Sequence, residues 1–157
     1  MSSTTIDSTT RNYSLLHQEI NALIEGEKNM FANIGNILAA IKFRMNWFWV
    51  GLYKVENDEL VLFMFQGPHA CTRIKKGKGV CGTCWEKNQT IIVDNIHNFD
   101  GHIACNSASQ SEIVIPIKDR NGHVAYVLDI DSEHLNAFSE NDKQELTKIA
   151  ALLETLI

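Results

Sequence analysis

The sequence predicts an α+β domain in which helices near both ends of the chain pack against a mainly antiparallel β-sheet. Apolar residues recur at helical spacing near both ends, whereas the middle of the chain carries short aromatic and β-branched runs that are typical of strands. The turn sequences Asn57-Asp58 and Asp119-Arg120-Asn121-Gly122 separate neighbouring runs. Because turns of this kind join consecutive strands into hairpins, they favour an antiparallel sheet over a parallel one.

Two amphipathic helices come first. Residues 12–25 place apolar side chains three, four and seven positions apart on one helical face, and Gly26 ends the pattern. The apolar residues from Met30 to Ile41 repeat this spacing, which predicts a second helix.

The period changes at Trp47, and residues 47–53 form the first predicted strand. The Asn57-Asp58 turn connects this strand to a second one over residues 59–65. The next segments are expected to be a long loop over residues 66–78, a short helix over residues 80–88 and a strand over residues 90–93.

Residues 94–111 show no regular period, and a loop of this length inside a compact domain is usually functional or disordered. Residues 112–117 and 123–130 then form a second hairpin. Ser139 is followed three positions later by Asp142, which is a variant of the capping box that begins a final helix.

Length, charge and composition limit the class of protein. A chain of 157 residues fits one domain, which we expect over residues 12–157 after a flexible tail over residues 1–11. A net charge of -5 argues against nucleic-acid binding, and no apolar run reaches the roughly 20 residues that a membrane span requires. The N-terminal sequence lacks the basic and apolar regions of a secretory signal, so we expect a cytoplasmic protein with reduced cysteines.

Cys81 and Cys105 are the candidate reactive thiols. Cys81 lies at the predicted start of a helix, where the helix dipole favours a thiolate. Cys105 lies in a polar loop near His97 and His102, either of which can stabilise a thiolate. The alternative for each cysteine is a buried side chain that acts only as a small apolar group. Cys71 stands alone in a loop and is expected to be inert.

Zinc is a rival interpretation of the same segment. Cys81-x-x-Cys84 followed by His97, His102 and Cys105 contains the ligand types of a structural zinc site, although the second half lacks a paired cysteine. The spacing Cys81-x-x-Cys84 also matches the C-x-x-C redox motif, but the βαβ pattern that surrounds this motif in thioredoxin-like proteins is absent from the sequence.

Carboxylates and aromatic residues form a second set of candidates. Glu112 opens a predicted strand, while Asp129 and Asp131 alternate along another strand and therefore share a face. These carboxylates form either a solvated strand end or a pocket for an ammonium group, in which neighbouring carboxylates raise one another's pKa. Trp49 and Tyr53 also share a strand face, either as core aromatics or as a wall for a methyl or cationic group.

The chain resembles the free methionine-(R)-sulfoxide reductases, which are single-domain proteins of the GAF fold. The resemblance covers nearly the whole chain from about Leu15 onward, and the strings G-H-I-A-C, S-E-I-V and L-D-I-D-S in this order are highly specific. It rests on residues 49–53, 79–83, 99–105, 111–116 and 128–132.

The resemblance implies that Cys105 is the nucleophile that attacks the sulfoxide sulfur and that Cys81 is the resolving thiol. The reaction would pass through a sulfenic acid and an intramolecular disulfide, which thioredoxin or a similar dithiol reduces. No metal or organic cofactor is required. A homodimer is one alternative for the oligomeric state, which the sequence leaves open.

The resemblance also assigns the binding residues. Glu112, Asp129 and Asp131 match the carboxylates that hold the free amino acid, and Glu112 and Asp131 are the candidate acids for the sulfoxide oxygen. Trp49 and Tyr53 match the aromatic wall around the substrate methyl.

Two positions depart from the family pattern. Ile91 stands where many members are expected to have a third redox cysteine, and Asn106 stands where an aspartate is usual. A three-cysteine relay is therefore left open, and Cys84 is either a replacement or a bystander. The alternative function is a GAF-type sensor of a small molecule or an oxidant without catalytic turnover.

Overall fold

The computed structural model describes residues 11–103 and 105–157. The helices within these residues are α1 (Tyr13–Ile24), α2 (Met30–Met45), α3 (Gly79–Lys87) and α4 (Glu140–Leu156), with a short 3-10 helix at Ile96–Asn98. The strands are β1 (Trp49–Glu56), β2 (Glu59–Gln66), β3 (Arg73–Lys75), β4 (Ile91–Val93), β5 (Ser111–Lys118) and β6 (Val124–Ser132). No helix within the described ranges combines the length and the apolar character needed to cross a membrane.

The strands form one antiparallel sheet in the order β3-β2-β1-β6-β5-β4. The two predicted hairpins are β1–β2 and β5–β6. Asn57 and Asp58 both have positive φ, 51° and 63°, which is the conformation that a tight two-residue hairpin turn requires. The predicted α+β class with helices at both ends of the chain is confirmed.

The sheet has a helical face and a second face covered by α3 and loops. Side chains alternate between the two faces along each strand, because successive residues of a strand point in opposite directions. The side chains that pack against α1, α2 and α4 include Val50, Leu52, Leu128 and Ile130. The second face carries Trp49, Tyr53, Asp129 and Asp131, which are all candidate site residues. The alternation predicted from sequence therefore separates the core from the candidate site.

The predicted long loop over residues 66–78 is wrong in part, because it contains β3. Ile74 is buried and pairs with Leu60 on β2, while its neighbours Arg73 and Lys75 are exposed. A single apolar residue among basic ones carries too short a pattern to predict a strand. Pairing with β2 supplies the order that the local sequence lacks.

A buried carboxylate joins the two ends of the described chain. Asp142 accepts hydrogen bonds from the Tyr13 hydroxyl, from Arg11 Nη1 at 2.8 Å and from the Ser139 backbone N–H at 2.8 Å. The Arg11 guanidinium also lies 5.1 Å from the centroid of the Trp47 ring. The capping box at Ser139 is confirmed, with Asp142 in the place of the usual Glu or Gln. Residues 1–10 of the predicted tail lie outside the described residues, whereas Arg11 is bound to α4.

We expect Asp142→Ala to lower the free energy of unfolding by about 3 kcal/mol, since it leaves several buried donors and a guanidinium without their acceptor. Urea denaturation at neutral pH measures this difference. Glu140→Ala, at an exposed position of the same helical turn, is the matched control and should change stability by less than about 0.5 kcal/mol. A loss in Asp142→Ala no larger than that in Glu140→Ala would show that the contacts of Asp142 with Tyr13, Arg11 and Ser139 do not stabilise the fold.

Candidate active site

A cavity on the second face of the sheet gathers every candidate site residue. Its volume is about 560 Å³, part of which is open to solvent. The candidate residues that line it are Trp49, Tyr53, Cys81, Cys105, Glu112, Asp129 and Asp131. They come from β1, α3, the loop before β5, β5 itself and β6. Only the tertiary fold therefore brings these distant segments together.

An aromatic wall forms one side of the cavity. The Trp49 ring stacks on Tyr53 at 6.0 Å between centroids and on Phe65 at 5.3 Å. A Cβ at Gly51 would overlap the Trp49 ring, so the glycine allows the ring to lie across the strand. Trp49 Nε1 donates a hydrogen bond to the Pro68 carbonyl at 3.0 Å, which joins the wall to the loop that follows β2.

The Tyr53 hydroxyl joins the same wall to a cysteine. It donates a hydrogen bond to the carbonyl of Cys71 at 2.9 Å. Burial, and then the nearby charge of Asp129, raise the pKa of Tyr53 well above its usual value. The hydroxyl consequently stays protonated and serves as a donor that positions the backbone at Cys71.

Three carboxylates face the aromatic wall. Glu112 on β5 lies directly opposite Asp131 on β6, and Asp131 in turn lies opposite Trp49 on β1. Asp129, two residues before Asp131, points into the same cavity. Its Oδ1 is buried and has no hydrogen-bond partner among the described residues. The predicted clustering of these carboxylates on one face is therefore present in the structure.

Burial raises the pKa of all three carboxyl groups, and the charges of neighbouring carboxylates raise those of Glu112 and Asp131 further. Burial, followed by the charges of Asp129 and Asp131, raises the pKa of Glu112 well above its usual value. Burial likewise raises the pKa of Asp131, with a further contribution from Asp129, and raises the pKa of Asp129 to about 6. A carboxyl group in this environment can hold a proton near neutral pH and donate it to a bound oxygen.

Cys105 forms a disulfide with Cys71, with a Cα–Cα distance of 5.2 Å. The expectation that Cys71 is inert is therefore wrong. The expectation of a disulfide between Cys105 and Cys81 is also wrong, because Cys81 is a buried free thiol in the structure. The cysteine that pairs with Cys105 precedes the G-V-C-G string instead of following it at Ile91. Sequence distance concealed this pair, since 34 residues separate its members.

The predicted thiolate character of Cys81 is wrong as well. Cys81 Sγ donates a hydrogen bond to Glu112 Oε1 over 3.8 Å. Burial, and then the charges of Asp129 and Glu112, raise the pKa of the Cys81 thiol well above its usual value. The helix start favours a thiolate through its dipole, but desolvation and adjacent carboxylates oppose it more strongly here.

The zinc site that the sequence offered as an alternative is not formed. Cys105 is bonded to Cys71, and Cys84 Sγ donates a hydrogen bond to the carbonyl of Val114 at 3.6 Å. His97 and His102 meet edge to face, with 6.1 Å between ring centroids. The ligands proposed for that site are thus divided among separate interactions.

Sequence reasoning also missed Ser109, which is buried and lines the cavity. A hydrogen bond from Ser109 favours the charged form of Asp131 and partly opposes the effect of burial on its pKa. Its position in an irregular segment carries no periodic pattern, so only its nearness to Cys105 in the chain could have indicated a role.

Comparisons with known proteins agree with this fold and cavity. A family model described as GAF domain matches residues 26–157. The GAF domain-containing protein A of Dictyostelium discoideum is 51% identical over 143 residues, covering 90% of each chain. The free methionine-R-sulfoxide reductase of Escherichia coli (strain K12) is 43% identical over 146 residues, covering 92% of this chain and 88% of that protein.

A solved structure extends the agreement to three dimensions. The X-ray structure of free methionine-R-sulfoxide reductase from Neisseria meningitidis in complex with its substrate is similar at a TM-score of 0.88 and 44% identity. The match covers 92% of this chain and 87% of that one. The predicted GAF-like fold is confirmed by these matches. The chain therefore belongs to the GAF domain family and, within it, to the free methionine-R-sulfoxide reductases.

Proposed function

We propose that this protein reduces free L-methionine-(R)-sulfoxide to L-methionine through a cysteine nucleophile. One observation carries the proposal beyond family membership. Cys105, which is bonded to Cys71, lines the same cavity as the carboxylates Glu112, Asp129 and Asp131. A sulfoxide that enters this cavity meets both a redox pair and a group able to protonate its oxygen.

Substrate recognition follows from the two sides of the cavity. The three carboxylates favour a free α-ammonium group, and the orphaned Asp129 Oδ1 offers an acceptor for its N–H. Trp49 and Tyr53 provide an apolar surface for the S-methyl group. Peptide-bound methionine sulfoxide carries an uncharged amide nitrogen in this position, so it would leave buried carboxylates without a counter-charge.

The chemistry balances with two cysteines. The Cys105 thiolate attacks the sulfoxide sulfur while Glu112 or Asp131 donates a proton to the oxygen. The oxygen passes with its proton from the methionine sulfur to Cys105 Sγ as the S–O bond of the sulfoxide breaks, so methionine leaves and Cys105 becomes a sulfenic acid. The Cys71 thiol attacks the sulfenic sulfur, releases water and forms the disulfide. A dithiol reductant such as thioredoxin then returns both cysteines to thiols and becomes a disulfide itself.

In this scheme Cys71 replaces Cys81 as the resolving thiol. The positions of the cysteines support this reassignment of the resolving role, because Cys71 is bonded to Cys105 while the Cys81 thiol donates a hydrogen bond to Glu112. Cys81 then acts by holding the carboxyl group that faces the substrate. Cys84 lies buried against the backbone of β5 and has no part in the reaction.

The proposal includes a single domain over residues 12–157 and a cytoplasmic location. The location is supported by the reaction, which needs a compartment that regenerates dithiols. Monomer and homodimer remain the two alternatives for the assembly, and sedimentation distinguishes them.

The substrate panel is the first test. Free methionine-(R)-sulfoxide should yield methionine with thioredoxin or dithiothreitol, whereas the (S) epimer should not. The N-acetylated (R) form should lose roughly two orders of magnitude in kcat/KM, since loss of one partner of a buried charge pair costs about 2–5 kcal/mol. Released methionine is quantified by chromatography. Folded, reduced protein that converts none of the three would instead favour a GAF-type sensor.

The cysteine variants separate the roles of the thiols. Cys105→Ser should release no methionine even in a single turnover. Cys71→Ser should release one equivalent and then stop with thioredoxin, because the sulfenic acid lacks its partner. Cys84→Ser is the matched control, since it removes a buried thiol outside the cavity. Mass spectrometry of the intact chain follows the sulfenic acid and the disulfide.

The same series decides between Cys71 and Cys81. Cys81→Ser should still form the disulfide with Cys71 and turn over repeatedly. If Cys81→Ser stopped after one equivalent while Cys71→Ser recycled normally, the resolving role would return to Cys81.

A further inference from the structure

One cluster in the described part of the chain combines a thiol with carboxylates at the spacing of metal ligands. Cys81 Sγ and one carboxylate oxygen each of Glu112 and Asp129 all lie within 4.8 Å of one another. All three residues are buried. The Sγ to Oε1 distance between Cys81 and Glu112 is 3.8 Å. Ligand atoms around a tetrahedral zinc ion lie about 3.5 Å apart, given bonds of about 2.3 Å to sulfur and about 2.0 Å to oxygen.

A second observation is that one carboxylate oxygen of the cluster has no hydrogen-bond partner among the described residues. Asp129 is only 6% exposed, and its Oδ1 has no hydrogen-bond partner among the described residues. Asp129 is also one of the residues that line the cavity. A buried carboxylate oxygen without a partner is costly, and a bound cation removes that cost. Asp131 lines the same cavity but does not belong to this group of three ligand atoms.

The donor set favours one class of ion. Thiolate sulfur suits zinc and copper(I), while carboxylate oxygen suits harder ions, and zinc accepts both kinds of ligand. Binding would displace the thiol proton of Cys81 to solvent, because sulfur coordinates as a thiolate. The site uses neither Cys71 nor Cys105 as a ligand, since Cys81 is a free thiol while those two are bonded to each other.

We propose that Cys81, Glu112 and Asp129 form a zinc-binding site, and that zinc in this site inhibits the enzyme by competing with its substrate. Zinc would use the carboxylate oxygens that the substrate ammonium needs, so the two cations exclude each other. The binding itself stands apart from the activity, whereas the inhibition rests on the proposed reductase function.

Metal titration of the oxidised protein tests the site directly, because the disulfide removes Cys71 and Cys105 as ligands. We expect wild type and Cys84→Ser to bind one equivalent of Zn²⁺ in competition with a chromophoric chelator. Cys81→Ser and Asp129→Asn should each weaken binding by more than about a hundredfold, since loss even of a group that only orients a ligand costs about 10–100-fold. Co²⁺ should show thiolate charge-transfer absorption in wild type and lose it in Cys81→Ser.

Binding that is absent from the oxidised wild type, or that is unaffected by both substitutions, would overturn the site. Thermal melting of each variant separates loss of the ligand from loss of the fold, and Asp129→Asn keeps the test open should Cys81→Ser unfold. Zn²⁺ should raise KM for the sulfoxide in the reduced enzyme without lowering kcat. A protein that binds zinc but reduces no sulfoxide would refute the proposed function and leave the metal site intact.

Discussion

Three carboxylates that share one desolvated cavity are the constraint on which the rest of the site depends. The antiparallel register of β5, β6 and β1 places Glu112 opposite Asp131 and Asp131 opposite Trp49. Their burial raises the pKa of each group and makes the cavity unfavourable by itself. The apolar packing of α1, α2 and α4 on the other face of the sheet offsets this cost.

A cation that enters the cavity reduces the repulsion among the three carboxylates, so the cavity favours positively charged ligands. The proposed substrate ammonium and the proposed zinc ion would both neutralise the negative charge of these carboxylates. The same carboxylates also affect the thiol of Cys81. Burial, and then the surrounding carboxylates, raise the pKa of the Cys81 thiol, so it donates to Glu112. In the proposed metal site it becomes a ligand only when a divalent ion displaces its proton.

The two cysteines proposed to carry out the redox chemistry lie in two different loops. Cys71 precedes β3 and Cys105 lies in the segment between the 3-10 helix and β5. The Tyr53 hydroxyl holds the Cys71 carbonyl, and the Tyr53 ring stacks on Trp49. The aromatic wall proposed to contact the substrate methyl group therefore also positions Cys71, the thiol proposed to resolve Cys105. Binding of the substrate and regeneration of the Cys105 thiol thus depend on the same aromatic residues.

The sequence by itself determined the fold class, both hairpins, the capping box at Ser139 and the shared face of Asp129 and Asp131. Each of these is a local property, because turn chemistry, helical spacing and strand alternation act over a few residues. Tertiary structure alone decided that β3 pairs with β2, that Cys105 bonds to Cys71 and that Cys81 stays protonated. Those outcomes depend on burial and on neighbours far away in the chain, which no local pattern records.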